Sequence, residues 1–378
     1  MSKNIVICID GTGDEFGACN SNVVKLYSVL RSDSDQQISF YHPGLGTMGS
    51  PHALSGLTQW WTKMIGLAFG YGLDAALTDC YQFLMETYSV GDNIYLFGFS
   101  RGAYTARALA AMVHMFGLVQ RGNEPLIRYV LKMFQRKKRN DADFALAAQF
   151  KATFSRPCPI RFVGVWDTVS SIGWLYDPVT LPFTALNPEI QVGRQAVSID
   201  ERRSSFRQNL WKPDLEKFPQ DIVQIWFAGV HSDVGGGYPE AESGLSKITL
   251  QWMLDEAEKQ GLMVVQSKKD DLLGVTNAAM CKPNFMGKVH NSLTGAWWIL
   301  EYFPRKHLDM SVNPAVWRWK IPRGAPRYIA PGAIIHPSVR QRIAADPTYR
   351  PVNLPRENPP APLPQESAAA SEPAVPLT

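Results

Sequence analysis

The sequence predicts an α/β fold with a mostly parallel central sheet and helices on both of its faces. Short runs of apolar residues alternate along the chain with stretches of helical length, a pattern typical of a parallel sheet that is covered on both sides. One apolar run stops at a serine between two glycines, in YLFGFSRGAYTARALAAM at 95–112, and a helix rich in small residues begins there. The composition agrees, because 45% of the 378 residues are hydrophobic and 19% are charged, which is enough to bury a large core.

Five apolar runs predict the strands of this sheet, at 4–10, 38–43, 93–99, 160–167 and 223–230. Short, nearly continuous apolar runs are expected where both faces of a strand are buried. The spacing of apolar residues predicts the helices, at 22–30, across 60–88 as two helices, and at 101–116, 124–137 and 245–260. Gly261 supplies a stop signal for the last of them.

The chain divides into one large domain and a tail. We assign 1–345 to a single α/β domain and 346–378 to a disordered tail, because nine of the 27 prolines fall between Pro347 and Pro376. Such a composition cannot bury a core. Within the domain, the segment 44–72 is apolar and punctuated by glycines. It is either a lid or tunnel wall beside a site or a connection that packs into the core.

The charge, the cysteines and the N-terminal segment exclude several classes of protein. A net charge of +4 is too weak to indicate a nucleic-acid partner. The five cysteines are scattered and form no C-x-x-C pair, so neither a disulfide framework nor a zinc site is expected. The segment MSKNIVICIDG lacks the pattern of a signal peptide, and no run approaches the roughly 18 apolar residues of a membrane span. We therefore expect a cytoplasmic protein in the producing cell.

The motif G-x-S-x-G, at Gly98, Ser100 and Gly102, predicts the fold more narrowly. It stands between an apolar strand and a helix rich in alanine, which is the setting of the nucleophile elbow in α/β hydrolases. At such a turn the serine hydroxyl is presented at the carboxyl end of the sheet, beside a helix N-terminus that favours developing negative charge. The alternative is a tight turn in which the serine only caps the helix.

A serine needs a base and an acid to act as a nucleophile at neutral pH. His231 is the preferred base, because it follows a strand-like run and opens the glycine-rich loop GVHSDVGGGYP. His290 is the second choice, because α/β hydrolases place their histidine late in the chain. Asp167 ends a predicted strand and completes the order Ser–Asp–His, and Asp233 is the second choice for the acid.

Acyl transfer also needs hydrogen-bond donors for an oxyanion. The backbone N–H of Arg101, the residue after the serine, is one candidate, and Gly11 or Thr12 in the loop after the first strand is the other. A nucleotide site in this loop is the competing interpretation, but neither G-x-x-x-x-G-K-[ST] nor G-x-G-x-x-G is present. The scheme requires no metal and no organic cofactor.

Six blocks of the sequence together resemble one family. They are IDGTG, GFSRGAYTARALA, GVWDTV, IDERRSSF, FAGVHSDVGGGY and PRKH, in this order between about residues 3 and 340. They resemble the catalytic domain of the type VI secretion phospholipase effectors. The resemblance implies an α/β-hydrolase fold, esterase or phospholipase A activity on glycerophospholipids, and a triad formed by Ser100, Asp167 and His231. It also implies export by a type VI-like system, with a secretion-apparatus or immunity protein as partner.

Three functions remain open on the sequence. The first is a phospholipase A-type serine esterase, for which the basic amphipathic segment 124–140 suggests a peripheral contact with an anionic membrane. A helix with a solvated basic face is the plainer interpretation of that segment. The other two functions are a carboxylesterase for small soluble esters and a non-catalytic module that keeps the hydrolase fold.

Overall fold

A seven-stranded sheet forms the centre of the molecule. The computed structural model describes residues 2–11, 17–33, 35–44, 71–136, 139–169, 173–174, 177–178, 181–212, 214–295, 297–309 and 316–355. Within these ranges the strand order of the sheet is β13-β10-β9-β6-β3-β1-β2, and all six strand pairings are parallel. The strands of this sheet are β1 (Asn4–Ile9), β2 (Gln37–His42), β3 (Asn93–Phe99), β6 (Ile160–Trp166), β9 (Ile190–Ser198), β10 (Asp221–Phe227) and β13 (Ile334–Ile335).

Among the described residues, three two-stranded pairs lie outside this sheet, and each is antiparallel. They join β4 (Leu118–Val119) to β5 (Ser155–Arg156), β7 (Gly173–Trp174) to β8 (Asp177–Pro178), and β11 (Arg305–Asp309) to β12 (Val316–Lys320). The described helices are α1 (Asn22–Val29), α2 (Tyr71–Thr87), α3 (Ser100–Phe116), α4 (Pro125–Phe134), α5 (Asp141–Phe154), α6 (His231–Gly235), α7 (Gly244–Lys259), α8 (Gln266–Leu272), α9 (Trp297–Glu301) and α10 (Pro337–Ala345).

Helices cover both faces of the sheet, which explains the continuous apolar runs. Alternate side chains of β1 point to opposite faces: Ile5 and Ile7 belong to one core cluster with residues of α2, α3, α4 and α5. Val6 and Cys8 belong to another cluster, with residues of α1, α7 and α8. A strand between two such layers has no solvent face and therefore no polar alternation. The predicted α/β-hydrolase-like fold with a parallel sheet is confirmed.

Strand β9 is an inner strand of the sheet that the apolar runs did not predict. Its sequence IQVGRQAVS carries Arg194 and Gln195 in the middle, although both side chains are buried. Arg194 forms ion pairs with Asp221 at 2.6 Å and with Glu256 at 2.5 Å. The Gln195 amide donates to the carbonyl oxygen of Asn209 at 3.0 Å. These partners bind the Arg194 guanidinium and the Gln195 NH₂ group, and all of them lie outside β9 in the sequence.

The C-terminal segment contributes to the domain as far as the structure describes it. Tyr349 and Leu354 pack against a third core cluster, which contains Trp226 of β10. The Tyr349 hydroxyl donates to Asp200 Oδ2 at 2.7 Å, and the Asn353 amide donates to the carbonyl oxygens of Ile199 and Arg327 at 3.0 and 3.1 Å. Residues 346–355, which the composition assigns to the tail, are therefore bonded to the domain.

The candidate lid and the end of the tail fall largely outside the residues that the structure describes. Most of the candidate lid, 45–70, lies outside the described residues, and so does the tail beyond residue 355. In the described part of the chain, no helix has both the length and the apolar character needed to cross a bilayer.

Candidate active site

Ser100 lies at a sharp turn between β3 and α3. Its φ of +57° is in the left-handed region, which non-glycine residues adopt at a cost of about 1–3 kcal/mol and mostly at functional sites. A Cβ at Gly102 would stand within 3.0 Å of the backbone oxygens of Ile9 and Asp10. The glycine of the motif thus allows α3 to start directly against the end of β1.

The structure brings two other candidate residues, His231 and Asp167, to this serine. With Nδ1 protonated, the His231 ring donates to Asp167 Oδ2 at 2.5 Å, and Nε2 accepts from Ser100 Oγ at 2.9 Å. This tautomer is assigned from the hydrogen-bond partners. The three residues follow β3, β6 and β10, so they meet at the carboxyl edge of the parallel sheet.

Two aromatic rings hold the His231 imidazole. Phe99 lies 4.6 Å from it between ring centroids, and Phe206 lies 4.8 Å away in an edge-on arrangement. A Cβ at Gly235 would overlap the Phe99 ring, so the first glycine of the GGG run leaves room for Phe99. The imidazole is 4% exposed, and its orientation is fixed by packing as well as by hydrogen bonds.

Asp167 is fully buried and accepts four hydrogen bonds. Its Oδ1 accepts from the Ser198 N–H at 2.9 Å and from Arg327 Nη1 at 2.6 Å. Its Oδ2 accepts from Arg327 Nη2 at 2.9 Å and from His231. Asp167 also has a positive φ, of +40°. The carboxylate is therefore held by a backbone amide, an arginine and the imidazole together.

The environment shifts the pKa values of both groups of this pair. Burial alone raises the pKa of Asp167, but the charge of Arg327 and the hydrogen bond from His231 outweigh it and hold that pKa far below its usual value. Burial lowers the pKa of His231, and the Asp167 carboxylate only partly offsets this effect. A neutral imidazole beside an ionised carboxylate is the arrangement that a general base requires.

Glu201 is a buried residue of this site that sequence reasoning missed. Its carboxylate accepts from Nε and Nη2 of Arg203, at 2.9 and 2.8 Å, and from the His231 N–H at 3.2 Å. The Ser292 hydroxyl donates to it at 3.0 Å. Burial raises the pKa of Glu201, yet the hydrogen bonds and charge of Arg203 dominate and lower it to about 2. Glu201 thus anchors the start of α6, on which His231 lies.

The second-choice residues His290 and Asp233 bind each other rather than the serine. His290 Nδ1 contacts Asp233 Oδ1 at 2.6 Å, and Nε2 contacts Glu242 Oε2 at 2.7 Å. The His290 ring stacks on Tyr238 with 3.5 Å between centroids. Asp233 also accepts from the N–H groups of Val230 and His290, each at 3.0 Å. His290 therefore links α6, which contains Asp233, to the loop after α6, which contains Glu242. Both nitrogens of the His290 ring contact carboxylates.

The three candidate oxyanion donors, Arg101, Gly11 and Thr12, differ in what the structure describes of them. Arg101 lies in the first turn of α3, next to Ser100, as expected. The Gly11 N–H donates to the carboxylate of Asp10 at 2.7 Å. That carboxylate also accepts from the hydroxyls of Ser21 and Tyr41, each at 2.8 Å. Thr12 lies outside the described residues.

Metal ligands are not grouped in the described ranges, where no set of three His, Cys, Asp or Glu side chains converges on a point. The side chains that do converge are those of Ser100, His231 and Asp167. An alcohol, an imidazole and a carboxylate in line can transfer an acyl group through a covalent intermediate.

Arg327 is another site residue that the sequence did not indicate. It lies 160 positions after Asp167, in a segment with no motif of its own. Glu201 and Arg203 stand in the block IDERRSSF, and an acidic residue followed by two arginines directly after a strand was the available sign of an ion pair. Arg327 offered no comparable sign.

Comparison with known proteins identifies the family. Residues 3–256 match the family model described as T6SS, Phospholipase effector Tle1-like, catalytic domain. An uncharacterized protein of Saccharomyces cerevisiae is 26% identical over an alignment 552 positions long, which covers 93% of this chain and 80% of that protein.

Two solved structures are more distantly similar. One is the crystal structure of an uncharacterized protein from Pseudomonas aeruginosa, with a TM-score of 0.43 and 20% identity over 71% of this chain and 47% of that one. The other is the Tle1 effector bound to the VgrG spike from the type 6 secretion system, with a TM-score of 0.37 and 23% identity over 65% of this chain and 53% of that one. The chain thus spans about half the length of each. Because the family model covers more than half of the 378 residues, this chain belongs to the Tle1-like family of type VI secretion phospholipase effectors, matching its catalytic domain.

Proposed function

We propose that this protein is a serine hydrolase of phospholipase A type, which cleaves carboxylic ester bonds of glycerophospholipids. One observation carries the proposal: Ser100 Oγ, the His231 ring and the Asp167 carboxylate are linked by hydrogen bonds of 2.9 and 2.5 Å. The elbow conformation of Ser100 supports it, as does membership of a phospholipase family.

The reaction follows from this geometry. Ser100 Oγ attacks the acyl carbonyl carbon while His231 Nε2 takes the hydroxyl proton, and Asp167 stabilises the imidazolium that forms. His231 then gives the proton to the leaving alcohol oxygen, and an acyl-enzyme remains. Water, activated by the same imidazole, hydrolyses the acyl-enzyme. The scheme uses no metal and no organic cofactor.

The tetrahedral oxyanion needs backbone donors. The N–H of Arg101, at the N-terminus of α3, is the first donor, and the helix dipole adds to its effect. The second donor is Gly11 or Thr12. Gly11 can serve only after its N–H leaves the Asp10 carboxylate, to which it is bonded at 2.7 Å.

Labelling with a fluorophosphonate tests the catalytic assignment. We expect stoichiometric labelling of the wild-type protein, loss of labelling in Ser100→Ala, and full labelling in Ser28→Ala, which removes an exposed serine of α1. Absence of labelling in well-folded wild-type protein would favour the non-catalytic module. Turnover of micellar phospholipid compared with a monomeric short-chain ester separates a phospholipase from a carboxylesterase for soluble esters.

Peripheral contact with an anionic membrane is part of this proposal. The basic helix α4 does not support it, because its residues Ile127, Val130 and Phe134 are buried in the core. The described segments 298–303 and 316–328 support it better, because large hydrophobic side chains are exposed in both, and the second also exposes the basic residues Arg318 and Lys320. The large hydrophobic side chains exposed in these two segments are Trp298, Ile299, Tyr302, Phe303, Val316, Trp319, Ile321 and Tyr328.

This surface adjoins the site. The ring of Trp297 in α9 lies 5.4 Å from the ring of Phe206 between centroids, and the Phe206 ring in turn packs against His231. Sedimentation with phosphatidylglycerol vesicles tests the contact in the inactive Ser100→Ala protein. Adding Trp298→Glu should weaken binding at least tenfold, whereas adding Leu215→Glu, at an exposed position elsewhere, should not. Equal binding by both double variants would exclude this surface.

Export by a type VI secretion system is the remaining part of the proposal, and the family description supports it. A tagged chain expressed in a bacterium with an active type VI system should reach the medium or a neighbouring cell. Secretion that continues after the sheath gene is deleted would contradict this part.

A further inference from the structure

Arg327 donates two parallel hydrogen bonds to the carboxylate of Asp167. Its Nη1 donates to Asp167 Oδ1 at 2.6 Å, and its Nη2 donates to Asp167 Oδ2 at 2.9 Å. Both side chains are buried. A planar guanidinium can form such a bidentate pair with a carboxylate, whereas the ammonium group of a lysine cannot form the same two parallel hydrogen bonds.

Arg327 is itself fixed by several partners. Its Nη1 donates to the Ser198 hydroxyl at 2.7 Å and to the Ser198 carbonyl oxygen at 3.2 Å. Its Nη2 also donates to the Phe206 carbonyl oxygen. The Arg327 carbonyl oxygen accepts from the Asn353 amide at 3.1 Å. The guanidinium is therefore a rigid support rather than a mobile surface charge.

This support orients the carboxylate toward the imidazole. Oδ1 of Asp167 is occupied by Arg327 and by the Ser198 N–H, and Oδ2 is shared by Arg327 and His231. Rotation of the carboxyl group about its Cβ–Cγ bond would break three or more of these bonds. The acceptor oxygen thus stays directed at His231 Nδ1 while a proton moves on and off Nε2.

The charges around His231 are balanced in pairs. Asp167 and Glu201 are the carboxylates next to it, and Arg203 and Arg327 are the cations that pair with them. The His231 ring also contacts the hydroxyl of Ser100 and the uncharged rings of Phe99 and Phe206. Removing one cation leaves a net negative charge in a buried site, which favours the imidazolium.

We propose that Arg327 is a positioning residue of the hydrolase: by pairing with Asp167 it fixes the carboxylate for His231 and balances its charge. The proposal rests on the function proposed above. It extends the site beyond the part of the chain that matches the family model, which ends at residue 256. Without Arg327, the His231–Asp167 pair takes up its proton at a higher pH, so the base is already protonated at a pH at which the wild-type base is free.

The pH dependence of kcat/KM on a soluble short-chain ester tests the proposal. In Arg327→Met we expect the acid limb to move to higher pH by about one unit, the size of effect that a neighbouring charge produces. Arg327→Lys keeps the positive charge but loses the two parallel hydrogen bonds to Asp167. The acid limb of its pH profile should therefore stay near that of the wild type, while kcat/KM falls about tenfold. Arg340→Met, which removes an exposed arginine of α10, should match the wild type in both respects. A folded Arg327→Met with an unshifted limb would overturn the proposal.

A second measurement does not depend on turnover. In the Ser100→Ala background, the ¹⁵N signals of His231 can be titrated by NMR with and without Arg327→Met, and the titration should move to higher pH in the double variant. If the wild type neither labels with fluorophosphonate nor hydrolyses esters, the proposed function fails, while this titration still decides the role of Arg327. Should the methionine variant not fold, Arg327→Lys decides: wild-type kcat/KM in that variant would contradict the proposal.

Discussion

Glu201 offers the sharpest test of how this site is stabilised. Its side chain is fully buried, and its carboxylate accepts hydrogen bonds from Arg203, the His231 N–H and Ser292. The change Glu201→Gln keeps the shape of the side chain and removes its charge. It also turns one acceptor oxygen into an NH₂ group that must face donors. We expect it to destabilise the fold at neutral pH.

The size of the effect follows from the pKa of Glu201. The surrounding donors lower this pKa from 4.5 to about 2, which corresponds to about 3 kcal/mol of folding free energy. Because the pKa is lower in the folded state, the stabilisation is complete above pH 4.5 and is lost as the pH falls toward 2. At pH 3 only about 1 kcal/mol of it should remain.

Urea-induced unfolding, followed by circular dichroism at several pH values between 7 and 3, measures this contribution. The difference in unfolding free energy between wild type and Glu201→Gln should be about 3 kcal/mol at pH 7 and should shrink steadily below pH 4.5. Glu216→Gln is the matched control, because Glu216 is exposed, and it should show no difference. A gap between wild type and Glu201→Gln that stays constant down to pH 3 would refute the reasoning.

Three further predictions concern the site itself. Gly102→Ala places a Cβ within 3.0 Å of the Ile9 carbonyl oxygen, and such a backbone clash should lower the thermal midpoint by several degrees, measured by scanning calorimetry. Asp167→Asn should reduce kcat about 10⁴-fold, because the amide no longer selects the required tautomer of the imidazole; a loss below tenfold in ester hydrolysis would argue against Asp167 as the acid. His231→Ala should abolish hydrolysis, whereas His290→Ala should keep kcat within about threefold while losing stability, since its ring is bonded to Asp233 and Glu242 and not to the serine. The opposite ranking of the two histidine variants would reverse the assignment.

The fold was predictable where its cause is local. Strands β1 and β3 lie between two helical layers, so every side chain of β1 is buried and the run stands out in the sequence. Strand β9 has the same surroundings, but Arg194 interrupts its pattern. That arginine is tolerated only because Asp221 and Glu256 meet it in the folded protein. A pairing between distant residues leaves no periodic trace along the chain.

The site residues also divide into those marked by a local sequence requirement and those defined by contacts with distant residues. Ser100 is marked by glycines that the turn requires at fixed spacing, and His231 by the glycine run that follows its short helix. Both requirements are local and visible in the sequence. Arg327 is defined only by its contact with Asp167, 160 positions earlier. His290 was a reasonable rival, because its partners Asp233 and Glu242 become apparent only once the loop after α6 is folded.

The buried charges around His231 indicate how much of the chain is needed to keep the site intact. A buried carboxylate is stable only when it is paired, and the site contains two, Asp167 and Glu201. Arg203 pairs with Glu201 from the segment that follows β9, inside the region that matches the family model. The partner of Asp167 comes from residue 327, in a segment that β13 and Asn353 attach to the sheet. Cutting the chain where the family match ends would leave Asp167 as an unpaired buried charge beside the imidazole, so the smallest unit able to keep this triad arrangement must include the C-terminal segment that carries Arg327.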